Sequence, residues 1–160
     1  MAIPVAVVAG AVLTGTGLVG AREVRAERWV DASPQEVWEV LTRPDRTGDP
    51  FLVRLDGELV EGATLGITVQ PVDGDAMDFS PVVLEVSPGE ELRWRGTFGV
   101  RGIVDGVHVW ELEEVDGGTQ IVQSERFTGV AVPFLGGMLD GTQAGFEAQL
   151  EWVAEQVGSD

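Results

Sequence analysis

A single histidine, His108, lies in a stretch where two alternating apolar/polar runs flank the turn Val115-Asp116-Gly117-Gly118. Paired with Asp116 opposite Thr119, these strands set Trp110 against Glu125 and His108 against Phe127. One face then carries His108, Trp110, Leu112, Ile121, Gln123, Glu125 and Phe127, and the other carries Glu111, Glu113 and Arg126. An imidazole, an amide and a carboxyl thus sit among aromatic residues, and burying such groups is costly unless they find partners. Two chemistries fit. In the first, His108 and Glu125 are diagonal neighbours acting as an acid/base pair, burial raises the carboxyl pKa, and Gln123 orients a ligand carbonyl. In the second, the trio satisfies itself as a buried network that fixes strand register. No nucleophile with a suitable base is visible, since Ser124 points outward. Phe51, Met77, Phe79, Trp94, Trp110, Phe127, Met138 and Phe146 are the further candidates to line whatever cavity this face encloses.

Composition narrows the chemistry. With no cysteine and one histidine, thiolate sites and multi-imidazole zinc sites are excluded, and no metal or cofactor is implied. Net charge is -17, and all ten basic residues are arginine, so nucleic acid and anionic lipid surfaces are repelled. Such a composition is expected of a halophile-like surface or, equally, of a plain acidic protein from a GC-rich genome. At 160 residues the chain suits one folded domain. Residues 2–20 carry no charge and precede Arg22, Arg25 and Arg28, a pattern expected of an uncleaved membrane anchor with a cytoplasmic body, with a signal peptide or a soluble cytoplasmic N-terminal element as the alternatives. This divides the chain into an apolar segment, 1–21, and a domain, 22–160. Gly15-Thr16-Gly17-Leu18-Val19-Gly20 matches GxGxxG, but no βαβ unit surrounds it, which argues against dinucleotide binding.

The elements that must position the polar guests follow in order. A strand over Glu23–Asp31 leads to a capping box at Ser33-Pro34-Gln35-Glu36, and a short helix burying Val37, Trp38, Val40 and Leu41 ends at Pro44. Asp45–Asp49 reads as a short turn or second helical stub that serves as scaffold. Six antiparallel strands follow. Phe51, Val53 and Leu55 face one way in the first. Met77–Val86 forms a single strand, with a slip near Ser80-Pro81 and Val82, Leu84 and Val86 turned inward. A long helix starting between Pro133 and Gly137 and ending near Val157 carries a stripe of Leu135, Met138, Leu139, Thr142, Phe146, Leu150, Val153 and Val157. The inward face of the sheet is its expected partner.

The runs Trp94-Arg95-Gly96, Gly106-Val107-His108, Gln123-Ser124-Glu125-Arg126-Phe127-Thr128-Gly129 and Gly145-Phe146-Glu147-Ala148, with Ala32–Trp38 before them, resemble the SRPBCC group, specifically its polyketide cyclase/dehydrase-like members. That resemblance implies an α+β helix-grip fold, a curved antiparallel sheet of about seven strands wrapped on the long helix. It also implies an elongated cavity that binds an apolar small molecule such as a lipid or polyketide. A cyclase or dehydratase using His108 and Glu125 is the alternative, and a regulatory interaction module without a small ligand is the third. The chain departs from the group's pattern at Gly48-Asp49-Pro50-Phe51, where relatives often carry an aromatic residue before Pro-Phe. An acidic residue at that cavity lip bears on which ligands enter.

Overall fold

The computed structural model of the chain describes residues 20–158. Strand β1 (Ala21–Val30) runs into helix α1 (Pro34–Thr42) through the expected capping box. Ser33 Oγ accepts from the Glu36 amide at 3.3 Å, and the Glu36 carboxylate accepts from the Ser33 amide at 2.7 Å, which satisfies two otherwise unpaired N–H groups. Seven strands follow rather than six: β2 (Leu52–Asp56), β3 (Gly66–Val69), β4 (Met77–Phe79), β5 (Val82–Ser87), β6 (Glu91–Phe98), β7 (Val104–Val115) and β8 (Gly118–Thr128). A 3-10 turn, Val132–Phe134, then leads to helix α2 (Gly136–Val157).

The strands form a five-stranded antiparallel sheet in the order β1-β8-β7-β6-β5 and a three-stranded sheet in the order β2-β3-β4. The break at Ser80-Pro81 is deeper than the expected bulge. Proline has no N–H to continue a ladder, and here the chain leaves one sheet for the other. The edge of β5 is then covered by the loop at 62–65, whose Leu65 amide donates to the Pro81 carbonyl at 2.8 Å.

Three details of register differ from the sequence-based expectation. A shift between Leu52 and Arg54 leaves Val53 exposed while Leu52 and Leu55 are buried. A second, between Val83 and Glu85, buries Val83 in place of Val82 and Leu84. The β7–β8 turn uses Asp116 and Gly117 as its central pair, with φ of 52° and 81°, so that Val115 rather than Asp116 starts the ladder, opposite Gly118. Two positive φ values in succession suit the right-handed twist of a tight hairpin, and Asp-Gly supplies them. This moves the partner of every β7 residue by two positions and leaves both faces unchanged.

Helix α2 seats Phe146, Leu150 and Val153 in the core as the stripe requires, and buries Gly145, Gln149 and Trp152 beside them. Its Gln143 amide also pairs with both backbone groups of Arg25 at 3.1 and 2.8 Å, blunting the free edge of β1. Among the described residues no helix is long and apolar enough to cross a membrane. The anchor or signal expected at residues 2–20, and nearly all of the GxGxxG match, lie outside the described residues.

Candidate functional site

Between the two sheets and the N-terminal half of α2 lies a cavity of about 340 Å³. The large sheet contributes Trp94, Gly96, Phe98, His108, Trp110, Gln123, Glu125 and Phe127. Met77, Phe79, Ile67 and Val69 come from the small sheet, Phe51 and Leu52 from the entry to β2, and Met138, Thr142 and Gln149 from α2. All the expected residues except Phe146 lie on this wall. Phe146 is wholly buried behind it, its ring 5.5 Å from that of Phe51 and 5.4 Å from that of His108. It is core because α2 approaches the sheet closely here. Gly145 permits that approach, since a methyl at this position would overlap the Phe51 ring.

Space for the cavity comes from missing side chains. Gly96 and Gly106 are cross-strand partners, and the Glu125 carboxyl occupies the volume that a side chain at Gly106 would fill. His108 stands directly opposite Glu125, and Trp110 opposite Gln123. The imidazole is stacked on Trp94 at 4.3 Å and 14°, and meets Trp110 edge-on at 5.0 Å. Such enclosure penalises charge. Burial pushes the Glu125 carboxyl up to about 8 and the His108 imidazole down to about 3, so both are neutral at pH 7.

His108 and Glu125 are adjacent without being bonded to each other. His108 Nε2 lies 3.1 Å from Gln123 Nε2, while His108 Nδ1 has no partner. Gln123 also donates to Gln149 Oε1 at 2.7 Å, and Gln149 donates to Asp49 Oδ2 at 2.7 Å. Asp49 is ion-paired with Arg46 and accepts the amides of Phe51 and Leu52, each at 2.9 Å. Asp49 therefore does not sit at the cavity lip; it is buried, as are Arg46 and Gln149. The turn expected to be plain scaffold carries half of a polar chain. One signal for it was present in the sequence, because Gln149 falls three residues after Phe146, on the helical spacing of the apolar stripe. Arg46 left no comparable signal, since turn residues are ordinarily solvated, and Asp49 stood out only as a departure from the family pattern.

Arg46 is held by more than its carboxylate. It donates to the carbonyls of Val40 and Leu41 at 3.1 and 2.7 Å, which the end of α1 leaves without helical partners. It also donates to Leu52 O at 3.2 Å and lies over the Trp152 ring at 5.1 Å. Desolvation lowers the pKa of this guanidinium, and Asp49 opposes that shift. Among the described residues no group of three or more metal-ligating side chains occurs.

The family model described as polyketide cyclase/dehydrase and lipid transport matches residues 21–158. No curated protein matches the sequence. Among solved structures, the chain is similar to protein MLL2253 of Mesorhizobium loti, with a TM-score of 0.69 and 19% identity over 86% of this chain and 98% of that one. It is similar to CalU16 of Micromonospora echinospora, with a TM-score of 0.61 and 23% identity over 86% and 76% of the two chains. It is also similar to the di-domain ARO/CYC BexL of the BE-7585A biosynthetic pathway, with a TM-score of 0.69 and 14% identity, where it covers 86% of its own length and 50% of the other's. At these identities the likeness to solved structures is one of fold. The match over nearly the whole described chain, joined to the helix-grip architecture and its enclosed cavity, makes this protein a member of the polyketide cyclase/dehydrase and lipid transport family.

Proposed function

We propose that the protein binds an apolar small molecule, of the lipid or polyketide kind, in the cavity between the sheets and α2. The observation that carries this reading is the cavity wall, mostly aromatic and aliphatic, whose few polar groups are His108, Gln123 and Glu125 on β7 and β8, Thr142 and Gln149 on α2, and Asp73 and Asp75 between β3 and β4. Ligand sites of this kind combine apolar bulk with a few polar groups that fix orientation. Native mass spectrometry of the gently isolated protein, with tryptophan fluorescence titrations using naphthalene-based probes, tests it. Trp94 and Trp110 line the cavity and should report occupancy. Failure to retain any lipid or polyketide, together with failure to bind any probe, overturns the reading.

A second reading, a cyclase or dehydratase step, is favoured by one observation. Glu125 is a carboxylic acid kept protonated at neutral pH beside a neutral imidazole, a form able to donate a proton to a ligand oxygen. Turnover of a polyketide-type substrate should then fall at least about tenfold in Glu125→Gln. An unchanged rate removes the pair from the mechanism.

A further inference from the structure

The buried polar chain from Arg46 to His108 has a fixed direction. Asp49 accepts four N–H donors on its two oxygens, two from backbone amides and one each from Arg46 and Gln149, so every acceptor site is used and no place is left for a proton. An acceptor-only group at this end forces Gln149 to turn its NH₂ toward Asp49 and its Oε1 toward Gln123. Gln123 must then present its own NH₂ to Gln149. The second hydrogen of that NH₂ faces His108 Nε2, which must offer a lone pair. Turning Gln123 over would set two oxygens against each other, and a proton on Nε2 would set two N–H groups against each other. The imidazole is neutral, so its one ring proton sits on Nδ1.

That Nδ1–H has no partner in the protein, and neither has the Nε1–H of Trp110. Both residues are almost fully buried, both lie on the cavity wall, and their rings meet edge-on at 5.0 Å. A buried donor left unsatisfied costs about 1–3 kcal/mol, so two together beside one cavity point to a missing acceptor, which a small turn of either ring must admit because neither nitrogen itself presents surface to the cavity. We propose that Arg46, Asp49, Gln149 and Gln123 act as positioning residues that hold His108 in its Nδ1–H tautomer, and that this N–H, with Trp110 beside it, receives a carbonyl oxygen of the bound apolar ligand. A carbonyl has two lone pairs and no proton, which suits a site that offers two donors. Gln123 Oε1, also unpartnered, is left to accept from a hydroxyl near that carbonyl. The ligand class is therefore an apolar ketone or quinone rather than a plain hydrocarbon chain. The carbonyl assignment rests on the cavity-binding reading, whereas the tautomer does not.

Because the protein has one histidine, labelling histidine with ¹⁵N gives a single ring system to observe. The wild-type protein at pH 7 should show a protonated Nδ1 and an unprotonated Nε2. In Gln149→Met, which keeps the volume and breaks the chain, the ring should shift toward the Nε2–H form. A wild-type Nε2–H ring, or a tautomer unchanged in Gln149→Met, overturns the positioning role. The wild-type spectrum decides the tautomer even where the variant does not fold. In the second arm, 2-acetylnaphthalene and 2-isopropylnaphthalene are titrated against tryptophan fluorescence. The ketone should bind about fivefold tighter or more, in keeping with one added hydrogen bond, and should shift the Nδ1 signal where the hydrocarbon does not. Equal binding overturns the carbonyl assignment and leaves the cavity-binding reading standing. Absence of binding by both probes, with no ligand retained in mass spectrometry, overturns the cavity-binding reading and the carbonyl assignment with it.

Discussion

Glu125 and His108 are titratable groups whose neutral forms the fold requires, and this fixes how stability responds to pH. The carboxyl has an ordinary value of 4.5 and a folded value of about 8. Between those limits the unfolded chain releases its proton while the folded chain keeps it, so stability falls as pH rises through that window. His108, with an ordinary value of 6.5 and a folded value of about 3, acts the other way. Below pH 6.5 the unfolded chain takes up a proton that the folded chain refuses, so stability falls as pH drops from 6.5 toward 3. Together they leave a plateau between about pH 4.5 and 6.5. Glu125→Gln removes the alkaline arm: its melting temperature should match the wild type near pH 4 and exceed it by about 3 °C or more at pH 8, as thermal melts would show. Gly106 gives the second residue-scale prediction. In Gly106→Ala the new methyl meets the Glu125 carboxyl, the far end of a flexible side chain beside the cavity, so urea unfolding should show a loss below about 1 kcal/mol, and none when Glu125→Ala is made in the same chain.

At the scale of elements, α2 turns most of its N-terminal half toward the cavity, with Gln149 further along, and gives Phe146, Leu150, Trp152 and Val153 to the core. Gly136, Gly137, Gly141 and Gly145 fall in that first half, which is a poor helix former by propensity. Only Gly145 has a tight packing reason among these four, since the other three have open space where a side chain would begin. Two effects of opposite sign therefore compete in Gly145→Ala. Propensity favours alanine by about 1 kcal/mol, whereas overlap with the buried Phe51 ring costs about 1–3 kcal/mol. The overlap should win, because Phe51 is packed against Phe146 and has little room to retreat. Urea unfolding should show Gly145→Ala destabilised and Gly141→Ala unchanged or stabilised. An increase in stability for Gly145→Ala would mean that α2 can slide outward from Phe51.

For the molecule as a whole, 27 acidic residues against ten arginines place strong like-charge repulsion on a small surface. Ion pairs such as Arg28–Glu151 and Arg54–Asp78 lie near the surface and offset little of it. Salt screens this repulsion while leaving the buried Arg46–Asp49 pair largely untouched. The melting temperature should therefore rise by several degrees between about 0.05 and 1 M KCl at pH 7, as calorimetry would show. A melting temperature independent of salt would mean that the charges are already spaced beyond mutual influence. The loops at 99–103 and 129–134 are joined by hydrogen bonds from Val130 and Ala131, and they expose Val100, Ile103, Val130 and Phe134. None of these four lines the cavity.

The order of the elements, the capping box of α1, the stripe of α2 and the inward face of β7 and β8 were legible from residue types and spacing along the chain. Each is a local property, written in residue spacing of 2 or 3.6 and in the types that stop or start a helix. His108, Gln123 and Glu125 were legible as misplaced polar residues for the same reason. The tertiary structure decided what lies opposite what. Hairpin register depended on whether Asp116-Gly117 or Gly117-Gly118 forms the turn, and both pairs contain residues suited to it. The split of one apparent strand into β4 and β5 depended on each half finding a different partner, β3 for one and β6 for the other. Above all, the link from Arg46 and Asp49 through Gln149 to Gln123 joins residues up to 100 positions apart in the chain. Its hydrogen bonds exist only where α1, α2 and the sheet converge, and no periodicity along the chain encodes that meeting.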